Sequence, residues 1–200
     1  MVKKKRMSRR GSVGQKNGKE GNGVKELKKC DPESVCRVLD AWGISYERLT
    51  HSEVRTMDDC KAVEERIGAP VCKNLFLQTR QGTEYFLLLL EGDKRFRTAE
   101  VSKKLGRSRL SFGSEEKLYA LLGVRPGAIS PMGLIHDGER EVQLIIDRDV
   151  LSHGRIAVHP CVNTQTVAMA TRDFVDIFLP RTGHVPQVLE ITGADPSEKG

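Results

Sequence analysis

The chain is poor in aromatic side chains and has no long hydrophobic run. Trp, Tyr and Phe make up only 5% of its 200 residues. No apolar stretch is long enough to span a bilayer, and no apolar signal-peptide core follows Met1. These absences predict a cytoplasmic protein without a membrane partner.

Cysteine and histidine are too few, and too irregularly spaced, for the common metal or disulfide frameworks. The five cysteines are odd in number and contain no Cys-x-x-Cys pair: Cys30, Cys36, Cys60, Cys72 and Cys161. This pattern predicts reduced thiols, no zinc site and no cofactor. The sequence also lacks a Walker loop, a dinucleotide-binding fingerprint and a serine nucleophile elbow.

Positive charge is confined to the beginning of the chain. Residues 1–30 carry 11 Lys/Arg and 2 Asp/Glu, a balance of +9, and the remainder carries 22 and 25, a balance of −3. Few large apolar residues occur in this arm, so we predict that it is disordered. It could contact the phosphates of a nucleic acid, or it could be only a solubilising or targeting tail. The candidate residues for nucleic-acid contact are Lys3, Lys4, Lys5, Arg6, Arg9 and Arg10.

Hydrophobic periodicity after residue 30 predicts a single α+β domain over 31–192, followed by a frayed end at 193–200. Capping residues and glycine stops predict helices over 32–42, 56–67, 98–105, 114–122 and 172–179. Apolar runs predict strands over 44–49, 72–79, 84–90, 109–112, 133–136, 141–147, 155–159, 164–170 and 185–191. Strands and helices do not alternate regularly, which favours a mixed, largely antiparallel sheet.

Three features stand out as candidates for chemistry. The segment Gly127–Pro131 joins a helix to the next element through glycine and proline, and could offer bare backbone groups to a ligand. Lys73 begins an apolar strand, and His159 ends another, so the two could meet at one sheet edge. Each has an ordinary explanation: a Pro-Gly connection, a solvated lysine and a structural histidine.

Four motifs in order resemble the YbaK/prolyl-tRNA-synthetase-associated domain family, and within it the free-standing Ala-tRNA(Pro) deacylases. They are KNLFL from Lys73, RLSF-x-S-x-E-x-L from Arg109, LG-x-x-PG-x-x-SP-x-GL from Leu122 and HP-x-x-NT-x-T from His159. The resemblance covers about 31–191. It implies a barrel-like mixed sheet with flanking helices, and metal-independent hydrolysis of mischarged tRNA.

The resemblance also implies roles for individual residues. Lys73 would be the catalytic cation at the aminoacyl ester and terminal nucleotide. The substrate-binding residues would be Asn74, Gly127, Ser130, Pro131 and His159. The tRNA's own 2′-hydroxyl would help to activate the water, which fits the lack of an evident protein base. A mischarged tRNA acceptor end is the implied partner, together with prolyl-tRNA synthetase or a multi-synthetase complex.

Two positions depart from the family pattern. Met132 stands where relatives have an aromatic residue, and Cys161 stands where asparagine is common. Two alternatives therefore remain open: a non-catalytic tRNA-binding or synthetase-associated subunit, and a deacylase for tRNA carrying another small residue such as Cys or Ser.

Overall fold

The computed structural model describes residues 29–54 and 56–194, so residues 1–28 of the basic arm, with its six candidate nucleic-acid contacts, lie outside the described residues. The strands are β1 Tyr46–Thr50, β2 Lys73–Thr79, β3 Tyr85–Leu90, β4 Leu110–Phe112, β5 Val142–Asp147, β6 Arg155–Val158, β7 Gln165–Ala170 and β8 Gln187–Leu189. The helices are α1 Pro32–Ala41, α2 Met57–Ile67, α3 Thr98–Leu105, α4 Glu115–Leu122, α5 Thr171–Asp173 and α6 Leu179–Thr182. Short 3₁₀ helices span Pro131–His136 and Arg148–Ser152, and a π-helical turn spans Phe174–Phe178.

The strands form two sheets. A three-stranded antiparallel sheet has the order β1-β7-β6, and a five-stranded mixed sheet has the order β4-β2-β3-β5-β8. In the second sheet β2 pairs antiparallel with β3 and β4, whereas β5 pairs parallel with β3 and β8. A parallel bridge from Val71 to Ala157 joins the sheets. The α+β class and the barrel-like mixed sheet are confirmed, although the barrel is not closed.

Local sequence signals explain most element boundaries. Asp31 caps α1 through Ser34, and Thr56 caps α2 through Asp59, in reciprocal capping boxes. β3 is a continuous apolar run, and all six of its residues are buried. Such a strand needs cover on both faces. On one face of β3, Leu87 and Leu89 pack in the core that faces the three-stranded sheet. On the other face, Phe86 and Leu88 pack in the cluster that includes α3.

One predicted strand, over 133–136, was wrong. The segment Pro131–His136 is a 3₁₀ helix that begins with Pro131, and Ser130 Oγ accepts from the Met132 N–H. Packing explains the difference, because a Cβ added to Gly133 would meet Leu122 at 2.9 Å. The glycine lets this turn lie directly on α4, where its apolar side chains are buried without strand pairing.

The prediction of reduced thiols throughout was also wrong. Cys30 and Cys161 form a disulfide across 131 residues of sequence. Such a pair has no local spacing signal, because only the fold brings the two cysteines together. The remaining cysteines, Cys36, Cys60 and Cys72, are free thiols.

Gly193, the first residue of the predicted frayed end, is hydrogen bonded to the domain. The Gly193 N–H donates to Glu100 Oε2 at 3.0 Å, and its carbonyl accepts from Arg97 Nε at 3.2 Å. Residues 195–200 are outside the described range. Within the described ranges no helix is both long and apolar enough to cross a membrane.

Candidate active site

A cavity of about 170 Å³ lies at the junction of the two sheets. We call it the seam cavity and define it by its lining residues: Cys60, Val71, Cys72, Lys73, Asn74, Gly92, Gly127, Ile129 and His159. It brings together four of the predicted site residues, Lys73, Asn74, Gly127 and His159, from three separate stretches of the sequence. Its volume is below the 300–1,000 Å³ usual for pockets that hold a drug-sized ligand, so it suits a small group.

Lys73 enters the cavity from the first position of β2. Alternation along β2 places Lys73 on the same face as Leu75 and Leu77, which pack in the cluster with α3. The side chain is half-buried, and its Nζ donates to the carbonyl oxygen of Lys94 at 2.8 Å. One ammonium N–H is thereby used, and two remain for a ligand. The simple solvated-lysine explanation does not fit this arrangement.

Gly127 lies on the cavity wall with a φ of +83°, a conformation that favours glycine. A Cβ at this position would come within 3.9 Å of Asn163 Nδ2. The loop therefore presents backbone to the cavity at this point, as the sequence predicted, and Ile129 supplies an apolar side chain nearby.

Ser130 and Pro131 are buried and do not line the seam cavity. The Ser130 hydroxyl donates to the His159 carbonyl oxygen and accepts from the Met132 N–H at 3.1 Å. Ser130 thus joins the Gly127–Pro131 loop to the segment that carries the histidine. Both residues thus lie behind the cavity wall, and the substrate contact that the family resemblance implies for them stays a prediction.

His159 has one ring nitrogen committed to the backbone. Its Nδ1 lies 2.9 Å from the Gln165 carbonyl, which can only accept, so Nδ1 carries the proton in the neutral ring. Burial lowers the pKa of His159, the nearby His51 adds to this effect, and the Gln165 bond opposes it. A neutral His159 leaves Nε2 as a hydrogen-bond acceptor at the cavity wall.

The two cavity thiols are poor nucleophiles. Burial raises the pKa of Cys72 to about 12, and burial also raises the pKa of Cys60 despite the opposing charge of Lys73. Reactive cysteines need lowered pKa values, because the thiolate is the attacking species. Cys72 instead contacts Asn74 Oδ1 at 3.6 Å, while the Asn74 amide donates back to the Cys72 carbonyl at 3.4 Å. These contacts orient Asn74 at the wall.

No group of three or more His, Cys, Asp or Glu side chains suited to a metal ion occurs within residues 29–54 and 56–194. Sequence reasoning missed five lining residues: Cys60, Val71, Cys72, Gly92 and Ile129. Val71, Cys72 and Ile129 stand beside predicted site residues, whereas Cys60 and Gly92 come from α2 and the β3–α3 loop, which carried no site prediction. Gly92 had a weak signal, since it lies two residues after the end of the buried strand β3. A Cβ there would meet the Val71 carbonyl at 3.1 Å.

A second concavity, of about 620 Å³, lies along the edge strand β4. We call it the arginine groove; it is lined by Arg80, Thr98, Arg109, Leu110, Ser111 and Phe112. Phe112 is 65% exposed, and its ring centroid lies 5.7 Å from that of Phe96. Arg80 and Arg109 are exposed, and neither forms an ion pair within the described part of the chain. Unpaired arginines beside an exposed aromatic ring are typical of nucleic-acid contacts.

A family model described as an aminoacyl-tRNA editing domain matches residues 51–177, which include the whole seam cavity. The chain belongs to the aminoacyl-tRNA editing domain family. This confirms the family predicted from the four sequence motifs.

Named relatives agree with this membership. The chain is 30% identical over 145 residues to the prolyl-tRNA editing protein ProX of Acetoanaerobium sticklandii, covering 72% of this chain and 88% of that protein. It is 33% identical over 144 residues to prolyl-tRNA synthetase associated domain-containing protein 1 of Danio rerio, covering 70% and 77%. A crystal structure titled as a candidate trans-editing enzyme for prolyl tRNA synthetase superposes with a TM-score of 0.60 at 19% identity, covering 80% of this chain and 97% of that one.

Proposed function

We propose that this protein is a trans-editing hydrolase that removes alanine from mischarged tRNA(Pro). The observation that carries the proposal is the convergence of Lys73, Gly127 and His159 on one small cavity in an aminoacyl-tRNA editing domain. The choice of tRNA(Pro) follows the name of a relative, since ProX is named as a prolyl-tRNA editing protein. A segment of the proline–tRNA ligase of Ralstonia pickettii is also 32% identical over 108 residues, which is 18% of that ligase.

The residues of the seam cavity suit ester hydrolysis. Water attacks the ester carbonyl carbon, the carbonyl oxygen gains negative charge, and the bond to the ribose 3′-oxygen then breaks. Lys73 supplies a positive charge for the oxyanion or for the phosphate of the terminal nucleotide. Neutral His159 offers Nε2 as an acceptor that orients the water, and the 2′-hydroxyl of the substrate completes the proton transfer. An aminoacyl ester is already activated, so positioning and charge are sufficient.

The substrate selected by the cavity is small. Val71 and Ile129 supply apolar walls, and Gly127 brings backbone close to the bound group. A cavity of limited volume excludes a larger side chain more strongly than it can attract a methyl group, so alanine enters and the larger proline ring is rejected. The Cys60 thiol and the Asn74 amide also face this space, which favours seryl or cysteinyl groups as the second candidate class.

The arginine groove supports RNA as the partner. Its two exposed arginines and the exposed Phe112 lie at the β4 edge of the sheet that carries Lys73. Phosphates and an unstacked base are the ligands that such a surface binds. In this view the groove contacts the acceptor end while the seam cavity holds the aminoacyl ester. Association with prolyl-tRNA synthetase remains part of the proposal.

Hydrolysis rates for tRNA charged with Ala, Ser, Cys and Pro test the proposal directly. We expect Ala-tRNA(Pro) to be hydrolysed fastest and Pro-tRNA(Pro) to be spared. Lys73→Ala should reduce the single-turnover rate at least 100-fold with little change in melting temperature. Lys103→Ala, at an exposed lysine in the last turn of α3, is the matched control. Failure of the wild-type protein to hydrolyse any of the four would leave a non-catalytic tRNA-binding role.

A further inference from the structure

The loop between β3 and α3 supplies the partner of the catalytic lysine. Its Gly92 lines the seam cavity, and the Lys94 carbonyl oxygen accepts from Lys73 Nζ at 2.8 Å. The loop is a turn in which the Lys94 N–H donates to the Glu91 carbonyl at 3.1 Å. The position of the Lys73 ammonium therefore depends on where this turn lies.

The side chain of Lys94 points away from this contact to a buried carboxylate. Lys94 Nζ lies 2.8 Å from Asp147 Oδ2, and the Asp147 side chain has no solvent exposure. The same ammonium lies 2.7 Å from Asp149, whose side chain is 55% exposed. Asp147 ends β5, the parallel neighbour of β3, so it is built into the sheet that also holds Lys73.

Asp147 fixes more than one part of the loop. Besides the Lys94 ammonium, Asp147 accepts long hydrogen bonds of 3.4 Å from the backbone N–H of Glu91 in the loop and from that of Ile191 after β8. A fully buried carboxylate keeps its charge only if it is paired and hydrogen bonded. The mechanism described above leaves this buried pair unused, although a single residue connects it to the catalytic lysine.

We propose that Asp147 and Lys94 are positioning residues that hold the Lys73 ammonium in its productive place. The ion pair anchors the turn, the turn fixes the Lys94 carbonyl, and the carbonyl fixes one N–H of Lys73. A lysine side chain has a flexible four-carbon stem, so a free ammonium would sample many positions. Misplacement by about 1 Å can cost about 100-fold in rate. This inference rests on the proposed function, since it concerns the same reaction.

Lys94→Met tests the inference without removing the acceptor of Lys73, because the carbonyl belongs to the backbone. We expect the single-turnover rate at saturating aminoacyl-tRNA to fall about tenfold or more, while tRNA affinity stays within about twofold. Lys94→Arg, which keeps the pair with Asp147, should restore most of the rate. Asp149→Asn is the matched control, because it removes an equally short but exposed ion pair and should leave the rate unchanged.

A second variant is needed in case Lys94→Met does not fold, since it leaves the buried Asp147 carboxylate without its Lys94 partner. Lys94→Met combined with Asp147→Asn removes both charges, and it should be folded and show the same loss of rate. NMR of 15N-lysine-labelled protein supplies a readout independent of activity. The Lys73 ammonium signal should shift or broaden in both variants and should not change in Asp149→Asn.

The outcomes separate this inference from the proposed function. Wild-type hydrolysis with an unchanged rate and an unchanged Lys73 signal in the Lys94 variants would overturn the positioning role alone. Equal losses in the Lys94 and Asp149 variants would also overturn it, since the exposed Asp149, and not the buried Asp147, would then hold Lys94 in place. Absence of wild-type hydrolysis would overturn the proposed function, and the NMR comparison would still decide whether the pair positions Lys73.

Discussion

The buried hydroxyl of Ser130 donates a hydrogen bond to the backbone carbonyl of His159, and so joins the two loops that form opposite parts of the seam cavity. The same oxygen accepts from the Met132 N–H at 3.1 Å. Both loops are irregular, and neither is held by strand pairing at this point. The Ser130 side chain is therefore a direct link between the two loops.

Removal of this hydroxyl should affect both stability and rate. Ser130→Ala leaves a buried carbonyl and a buried N–H without a partner, which costs about 1–3 kcal/mol of unfolding free energy. Ser102→Ala is a matched control, since Ser102 Oγ also donates to one backbone group and accepts from another, at 2.6 and 3.0 Å. Thermal melts should show similar losses in the two variants, whereas single-turnover hydrolysis should fall only in Ser130→Ala. Equal rates in the two would contradict a link to the site.

The pH dependence of hydrolysis should follow His159. Burial lowers its pKa below the ordinary value of 6.5, so the ring is neutral at pH 7 and Nε2 is available. We expect a rate that is flat around neutral pH and decreases on acidification, with a midpoint below 6.5. A midpoint above 6.5 would contradict this assignment, and His159→Asn should lack the acidic limb.

The free energy of unfolding should also decrease on acidification, because the pKa of His159 is lower in the folded protein than in the unfolded chain. The unfolded chain binds a proton at His159 more readily than the folded protein does, so stability increases with pH through this window. The contribution is fully present above pH 6.5 and is lost as the pH falls from 6.5 through the lower folded pKa. Denaturant unfolding at several pH values, with His159→Asn alongside, measures this part of the dependence.

Reduction of the Cys30–Cys161 disulfide should destabilise the domain. The bond closes a loop with a sequence separation of 131, and the chain-entropy model gives about 5 kcal/mol for a loop of this length as an upper figure. Cys161 also has a φ of +64°, a backbone conformation that costs free energy for most residues other than Gly, Asn and Asp. We expect dithiothreitol to lower the melting temperature of the wild type and to leave that of Cys161→Ser unchanged.

Deletion of the basic arm should weaken tRNA binding without changing the chemistry. Residues 1–30 carry a balance of +9, whereas the remainder carries −3, so long-range attraction to a polyanion depends on the arm. Protein lacking residues 1–29 should show lower affinity and a shallower salt dependence, with a nearly unchanged rate at saturating tRNA. Equal affinities and slopes would make the arm a solubility, localisation or docking segment.

Prolonged chelation should leave the hydrolysis rate unchanged. The proposed chemistry uses an ammonium group, a neutral imidazole and the substrate's hydroxyl, and no step needs a Lewis acid. The measurement compares single-turnover rates before and after treatment with EDTA. Inhibition that zinc reverses would contradict the proposed mechanism.

The sequence predicted the part of the site that depends on local patterns. The apolar runs of β2 and β3 and the turn between them predict an antiparallel hairpin, and the structure pairs Lys73 with Leu90 at its open end. The position of Lys73 at the head of a strand follows from that pattern. Gly127 was predicted by its glycine-proline context, and it does adopt a positive φ.

The rest of the site depends on contacts between distant segments. The sequence around Lys94 does not predict its proposed role, because that role depends on an ion pair with Asp147, 53 residues later in the chain. The disulfide partners, the parallel pairing of β3 with β5 and the burial of Ser130 are likewise products of tertiary packing. The segment 133–136 was mispredicted for a related reason: a short apolar run fits a strand or a buried turn equally well, and α4 decides between them.

The bridge from Val71 to Ala157 has a consequence for heat inactivation. Lys73 belongs to one sheet and His159 follows a strand of the other, so the reacting groups face each other across a boundary. A small separation of the sheets at this bridge would break no strand pair within either sheet. Such local opening requires less free energy than global unfolding. The enzyme should therefore stop working several degrees before its circular dichroism changes, and cooling should restore activity promptly.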